Sequence, residues 1–157
     1  MSTDANEPKA TRARRLIKRY ALGGIAPGLL PFPLIDAGLL LGVQLKLIHH
    51  LAKVYGVAFS KDLSRSLISA LVGGGAPISL GASLGKLVPG YGQFVSPITG
   101  GLLGGASTYA VGQVFLQHFE SGGTFLTFDP EKVRAHYASE LEKGKTVVRE
   151  NLGGLRP

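Results

Sequence analysis

The chain has 157 residues, enough for one domain with tails, and a net charge of +7. With no Cys it holds no disulfide framework, zinc-thiolate site or cysteine nucleophile. Only 17% of residues are charged, while Gly, at 23, stands at about twice its average share of roughly 7%.

Residues 1–11 read as a disordered tail. A helix is expected over 12–26, with Leu16, Ile17, Tyr20, Ala21 and Ile25 on one side. Its basic residues Arg12, Arg14, Arg15, Lys18 and Arg19 fit two readings equally. One is an arm lying on acidic lipid, where each charge gains about 1 kcal/mol. The other is a solvated tail. Nucleic acid fits less well, because no aromatic residues are interleaved. A cleavable signal peptide is not expected, since Pro27 and Pro31 interrupt the apolar run that begins at Ala21.

Pro27, Pro31 and Pro33 break the helix. From Ala37 to Tyr55 the pattern is again helical, with Leu40, Val43, Leu47, Leu51 and Val54 on one face. Lys46, His50 and Lys53 form a separate stripe. Asp36 reads either as the cap of this helix or as a buried polar group paired with Gln44 or a basic residue. Gly56 is the expected stop, with a new helix from Lys61 or Asp62.

Residues 67–119 carry a single formal charge, Lys86. Soluble domains seldom leave so long a stretch without solvating groups. The expected hydrophobic segments are 21–43, 67–88 and 94–117, the last two separated by the turn Pro89-Gly90-Tyr91-Gly92. If all three crossed a membrane, the basic 44–66 loop would be translocated against the positive-inside rule. The expected topology is therefore a hairpin of 67–88 and 94–117 behind a re-entrant 21–43, with both termini cytoplasmic. A C-terminal amphipathic helix is expected over 130–151, capped at Asp129-Pro130. The fold class is thus all-α, with one helical membrane domain over 12–152.

Small residues recur every four positions: Ser69, Gly73, Gly81 and Gly85 in one segment, then Ser96, Gly100, Gly104, Thr108 and Gly112 in the next. Such stripes permit close helix packing in lipid. They either join the two arms of the hairpin or join copies into a homo-oligomer, with a scaffold or a small pore as the outcome. A peripheral module closing over acyl chains is a third expectation.

No catalytic constellation stands out. Gly81-Ala82-Ser83-Leu84-Gly85-Lys86 fails as a phosphate loop: three residues separate the glycines, and Leu87 follows the lysine. His49 and His50 are adjacent, so they point about 100° apart on a helix and do not grip one metal. No enzyme activity, cofactor or metal is expected.

Pro31-Phe32-Pro33-Leu34-Ile35-Asp36, Gln44 and Tyr55-Gly56 resemble an uncharacterised bacterial domain found at the C-terminus of some Era-like GTPases and in YcjF-type inner-membrane proteins. So do Val88-Pro89-Gly90-Tyr91-Gly92, Thr108-Tyr109-Ala110-Val111-Gly112 and His118-Phe119. The resemblance spans about residues 12–150. It implies a helical protein of the bacterial inner membrane with no established catalytic residues. No GTPase motif accompanies it, so a nucleotide role is expected only through a partner GTPase.

Overall fold

The computed structural model describes residues 7–25, 33–73 and 97–153. All regular structure among them is helical: α1 (Lys9–Gly23), α2 (Pro33–Tyr55), α3 (Lys61–Gly73), α4 (Pro97–Glu120) and α5 (Arg134–Gly153).

The helix ends follow local chemistry. Pro8 precedes α1, and its carbonyl takes the first two bonds, from the N–H groups of Thr11 and Arg12. The helix therefore begins inside the stretch expected to be a disordered tail. It closes at Gly23, short of the expected residue 26. Pro33 is the first residue of α2, where its missing N–H costs nothing. The helix thus starts before the expected Ala37, and Asp36 is its fourth residue rather than its cap. At the other end Gly56 adopts φ +67°, a left-handed conformation that favours glycine. Val57 N–H then reaches Ala52 O at 2.8 Å and Gly56 N–H reaches Lys53 O at 3.3 Å, closing the helix in a Schellman motif. Ser60 Oγ accepts from Leu63 N–H at 3.4 Å as α3 begins. Asp129 caps a local turn rather than a helix, its Oδ1 accepting from Glu131 N–H at 3.1 Å. Turns then fill 130–133, so α5 starts later than expected.

The amphipathic pattern decides the packing. Ala13, Ile17 and Ala21, spaced by four, are fully buried, while α1 turns its cations outward. These residues meet α4, the central helix, which buries Ala106, Thr108, Ala110, Val111, Val114 and Phe115. Gly104 of α4 lies against Gly24, and Gly112 against Ile17, so α1 runs antiparallel to α4. Leu40 lies by Gly104 and Leu47 by Gly112, so α2 runs parallel to it. Helix α5 covers another side, with Val148 by Gly105 and Gly144 against the backbone of Ala106.

The connection after α4 adds an aromatic plug. Phe128 stacks on Phe115 with centroids 4.3 Å apart and an interplanar angle of 2°. Phe125 packs edge-on to Phe119 at 5.4 Å.

Among the described residues no helix is long and apolar enough to cross a membrane. Polar residues explain this: Gln44, Lys46, His49 and His50 interrupt α2, and Gln113, Gln117 and His118 interrupt α4. Most of the 67–88 segment, and the turn after it, lie outside the described residues. The small-residue face of α4 packs on α1, α2 and α5 of its own chain, a partnership the expected hairpin does not include.

Candidate functional site

Helices α1 and α2 meet along a seam fixed by one polar contact. Tyr20 OH lies 2.7 Å from His50 Nδ1, with the ring centroids 5.6 Å apart. Tyr20 is there because α1 buries its Ala13–Ile17–Ala21 stripe and so turns Tyr20 toward the neighbouring helix. His50 lies one turn from both Lys46 and Lys53, which are exposed.

The seam is electropositive. Burial pushes the His50 pKa below its ordinary value, and the charges of His49, Lys53 and Lys46 push in the same direction. Burial raises the Tyr20 hydroxyl, partly opposed by Arg19. The direction of the Tyr20–His50 bond is set by the His50 tautomer, and a bond to the Lys46 backbone partly opposes the lowering of the His50 pKa. The His49 ring lies nearly parallel to that of His50, with centroids 6.0 Å apart, and stacks on Phe59 at 4.5 Å.

Beside this pair runs an open groove of about 780 Å³. Arg19, Tyr20, Lys46 and His50 gather at one end, and Leu16 lines the same wall. Toward the start of α2 the lining becomes Val43, Gly42, Leu39 and Gly38, with Gly23 facing from α1. A Cβ added at Gly23, Gly38 or Gly42 would meet nothing within 4 Å among the described residues.

A second polar feature is wholly internal. Gln44 is 3% exposed, and its Nε2 donates to Ser107 Oγ at 3.1 Å. Ser107 Oγ lies 3.1 Å from Tyr137 OH. Gln44 thus enters a relay joining α2, α4 and α5, and the expected pairing of Asp36 with Gln44 or a basic residue rests on a side chain outside the described residues. Burial raises the Tyr137 pKa, against the bond to Ser107.

The other positions singled out in the sequence separate into distinct environments. Arg14, Lys18 and Arg19 are exposed, Arg12 is half-buried, and Arg15 pairs with Glu7. Ser69 and Gly73 lie exposed on α3. Gly104, Thr108 and Gly112 are buried in α4, where Thr108 Oγ1 donates to Gly104 O at 2.9 Å. Gly100 ends the first turn of α4. Gly81, Gly85 and Ser96 lie outside the described residues. Among the described residues no group of three His, Asp or Glu is placed to hold a metal. Sequence reading missed the Tyr20–His50 pair and the open glycines of α2, although the four-residue spacing of Gly38 and Gly42 was a visible signal.

A family model described as "Domain of unknown function (DUF697)" matches residues 1–145. The chain is also 37% identical, over 140 residues, to a protein of Magnetospirillum gryphiswaldense named "Magnetosome membrane protein 22". That alignment covers 87% of this chain and 72% of the relative. No solved structure matches.

Proposed function

The chain belongs to this DUF697 family of uncharacterised proteins, and from that footing we propose that it is a non-enzymatic membrane-associated protein, a helical scaffold or organising subunit. The observation that carries the reading is the basic seam. Arg14, Lys18 and Arg19 are exposed on α1, and Lys46 and Lys53 on the neighbouring α2. Cations of two helices joined through Tyr20 and His50 suit an anionic bilayer surface, at about 1 kcal/mol each. The membrane-protein relative supports the same setting.

The finer expectations enter as parts of this proposal. The stretch after Leu67, with Lys86 its sole formal charge up to Phe119, is the part of the sequence suited to hydrocarbon. Self-association uses a surface other than the Gly104 face, which α1 already fills; Leu103, one residue away and 44% exposed, offers an apolar contact. An inner-membrane location and service beside a partner GTPase rest on the motif resemblance.

Flotation of the full chain with vesicles tests the reading. The expected result is flotation with anionic vesicles, weakened by salt, and far less with zwitterionic ones. Recovery in the soluble fraction with every vesicle composition would overturn it.

A further inference from the structure

We propose that the groove between α1 and α2 is a discrete site for a single anionic phospholipid, with the phosphate held by Arg19 and Lys46 and an acyl chain laid along α2 toward Gly38. This goes deeper than the membrane reading above and rests on it for the source of the lipid.

The groove has two chemically different ends. Arg19 and Lys46 both line one end, and among the described residues no carboxylate lines the groove. Tyr20 and His50, joined by their hydrogen bond, line the same groove. An anion is the charge complement of that end, and a phosphate oxygen accepts bonds from both cations. Moving toward the start of α2, the described lining residues are Val43, Gly42, Leu39 and Gly38, none of them polar. Leu39 is 48% exposed there, a large apolar side chain open to the groove. A soluble anion such as free phosphate or a nucleotide would leave this half uncovered. A neutral hydrocarbon would leave the cations unmatched. An anionic amphiphile satisfies both halves.

The dimensions agree. From Lys46 to Gly38 the helix advances roughly 12 Å, room for the first part of an acyl chain lying in a trough. The volume of about 780 Å³ falls within the usual span for small-molecule sites, roughly 300 to 1,000 Å³. The glycines supply the trough: Gly38 and Gly42, one turn apart, present bare backbone where side chains would fill it, and Gly23 faces them. Helical glycine costs up to about 1 kcal/mol relative to alanine. Among the described residues no neighbour requires glycine here, unlike at Gly104 and Gly112 inside the bundle. A ligand lying against α2 accounts for that difference.

The test is photo-crosslinking of the full-length chain in vesicles that carry a trace of lipid with a diazirine on its acyl chain. Phosphatidic acid is compared with phosphatidylcholine of the same chain, and labelled peptides are mapped. The expected result is labelling by phosphatidic acid concentrated on the Leu39–Val43 peptide. Gly42→Leu should cut that labelling by about tenfold or more with thermal stability retained, since the new side chain fills the groove and displaces nothing. Arg19→Gln with Lys46→Gln should bring phosphatidic acid down to the phosphatidylcholine level. Equal labelling of the peptide by both lipids would overturn the proposal, as would undiminished labelling in Gly42→Leu. Displacement of the label by inorganic phosphate alone would do the same, by making the groove a site for free anions. Vesicle flotation of the same variants separates the two readings. If Gly42→Leu floats like the wild type and is labelled equally, the site falls and membrane association stands. If phosphatidic acid delivered as monomers labels Leu39–Val43 but the chain floats with no vesicle, the site stands and the membrane reading falls.

Discussion

Gly104 of α4 and Gly24 at the end of α1 touch backbone to backbone: a Cβ on Gly104 would lie 2.5 Å from the Gly24 carbonyl oxygen. The close approach is mutual, because a Cβ on Gly24 would meet Thr108 Oγ1 at 2.6 Å. Two glycines, eighty positions apart, thus set the distance between the first and the central helix.

Gly104→Ala should therefore destabilise the protein by about 1–3 kcal/mol, since a carbonyl oxygen cannot rotate away as a flexible side chain does. Gly42→Ala should do the reverse, stabilising by about 0.5–1 kcal/mol, because its new methyl meets nothing and the helix gains propensity. Thermal or denaturant unfolding of the two variants side by side checks both signs. If Gly104→Ala changes only assembly size and leaves unfolding untouched, the contact with Gly24 is not the one that matters.

The buried relay gives a second expectation. Ser107→Ala leaves Gln44 Nε2 and Tyr137 OH without the partner they share, and should cost about 1–3 kcal/mol. Tyr137→Phe removes one member and leaves Ser107 bonded to Gln44, so it should cost less. Combining the two should be less than additive, because both break the same network. A double-mutant cycle on unfolding free energies measures this directly.

The Tyr20–His50 pair predicts a pH dependence. Burial and the neighbouring His49, Lys53 and Lys46 hold the folded His50 pKa below its ordinary 6.5, so the unfolded chain binds the proton more readily. This contribution to stability is full above about pH 6.5 and is lost as pH falls from there through the lowered native value. The charges acting on the ring are those of His49, Lys53 and Lys46 on α2, partly opposed by a bond to the Lys46 backbone. Unfolding midpoints followed from pH 8 down to 5, in wild type and His50→Gln, should show a shallower slope in the variant.

At alkaline pH the informative pair is Tyr55 and Glu120. The Tyr55 hydroxyl donates to Glu120 Oε1 at 3.2 Å. Its pKa is pushed up to about 12 by burial first, then by the Glu120 charge and bond. The folded value lies above the unfolded 10.0, so this contribution is present below pH 10 and lost as pH rises through about 12. Glu120→Gln should lower the Tyr55 pKa yet leave it above 10, since burial persists. Phenolate absorbance, with Tyr55→Phe as the reference, reads the change.

Much of the helical plan was legible in the chain. The Gly56 stop, the Lys61 start and the basic stripe of Lys46, His50 and Lys53 all follow from local rules of caps and period. Boundaries slipped where local cues compete: Pro33 opens α2 itself, and Asp129 caps a turn. The four-residue spacing of Gly104, Thr108 and Gly112 marked a smooth face. That spacing was silent on which helix meets the face, because any helix with small residues satisfies it.

The sequence by itself determined an all-helical chain, its cationic faces and a middle with almost no charge, since propensity, capping and amphipathic period act within a few residues. Tertiary structure alone decided that α4 is the centre and that Gly104 faces Gly24. It also brought together Tyr20 with His50, Gln44 with Ser107 and Tyr137, and the two cations beside an apolar trough. The hydrogen-bonded residues lie thirty or more positions apart, and the two cations twenty-seven. Their meeting is set by how four amphipathic helices share one buried volume, which no local pattern encodes.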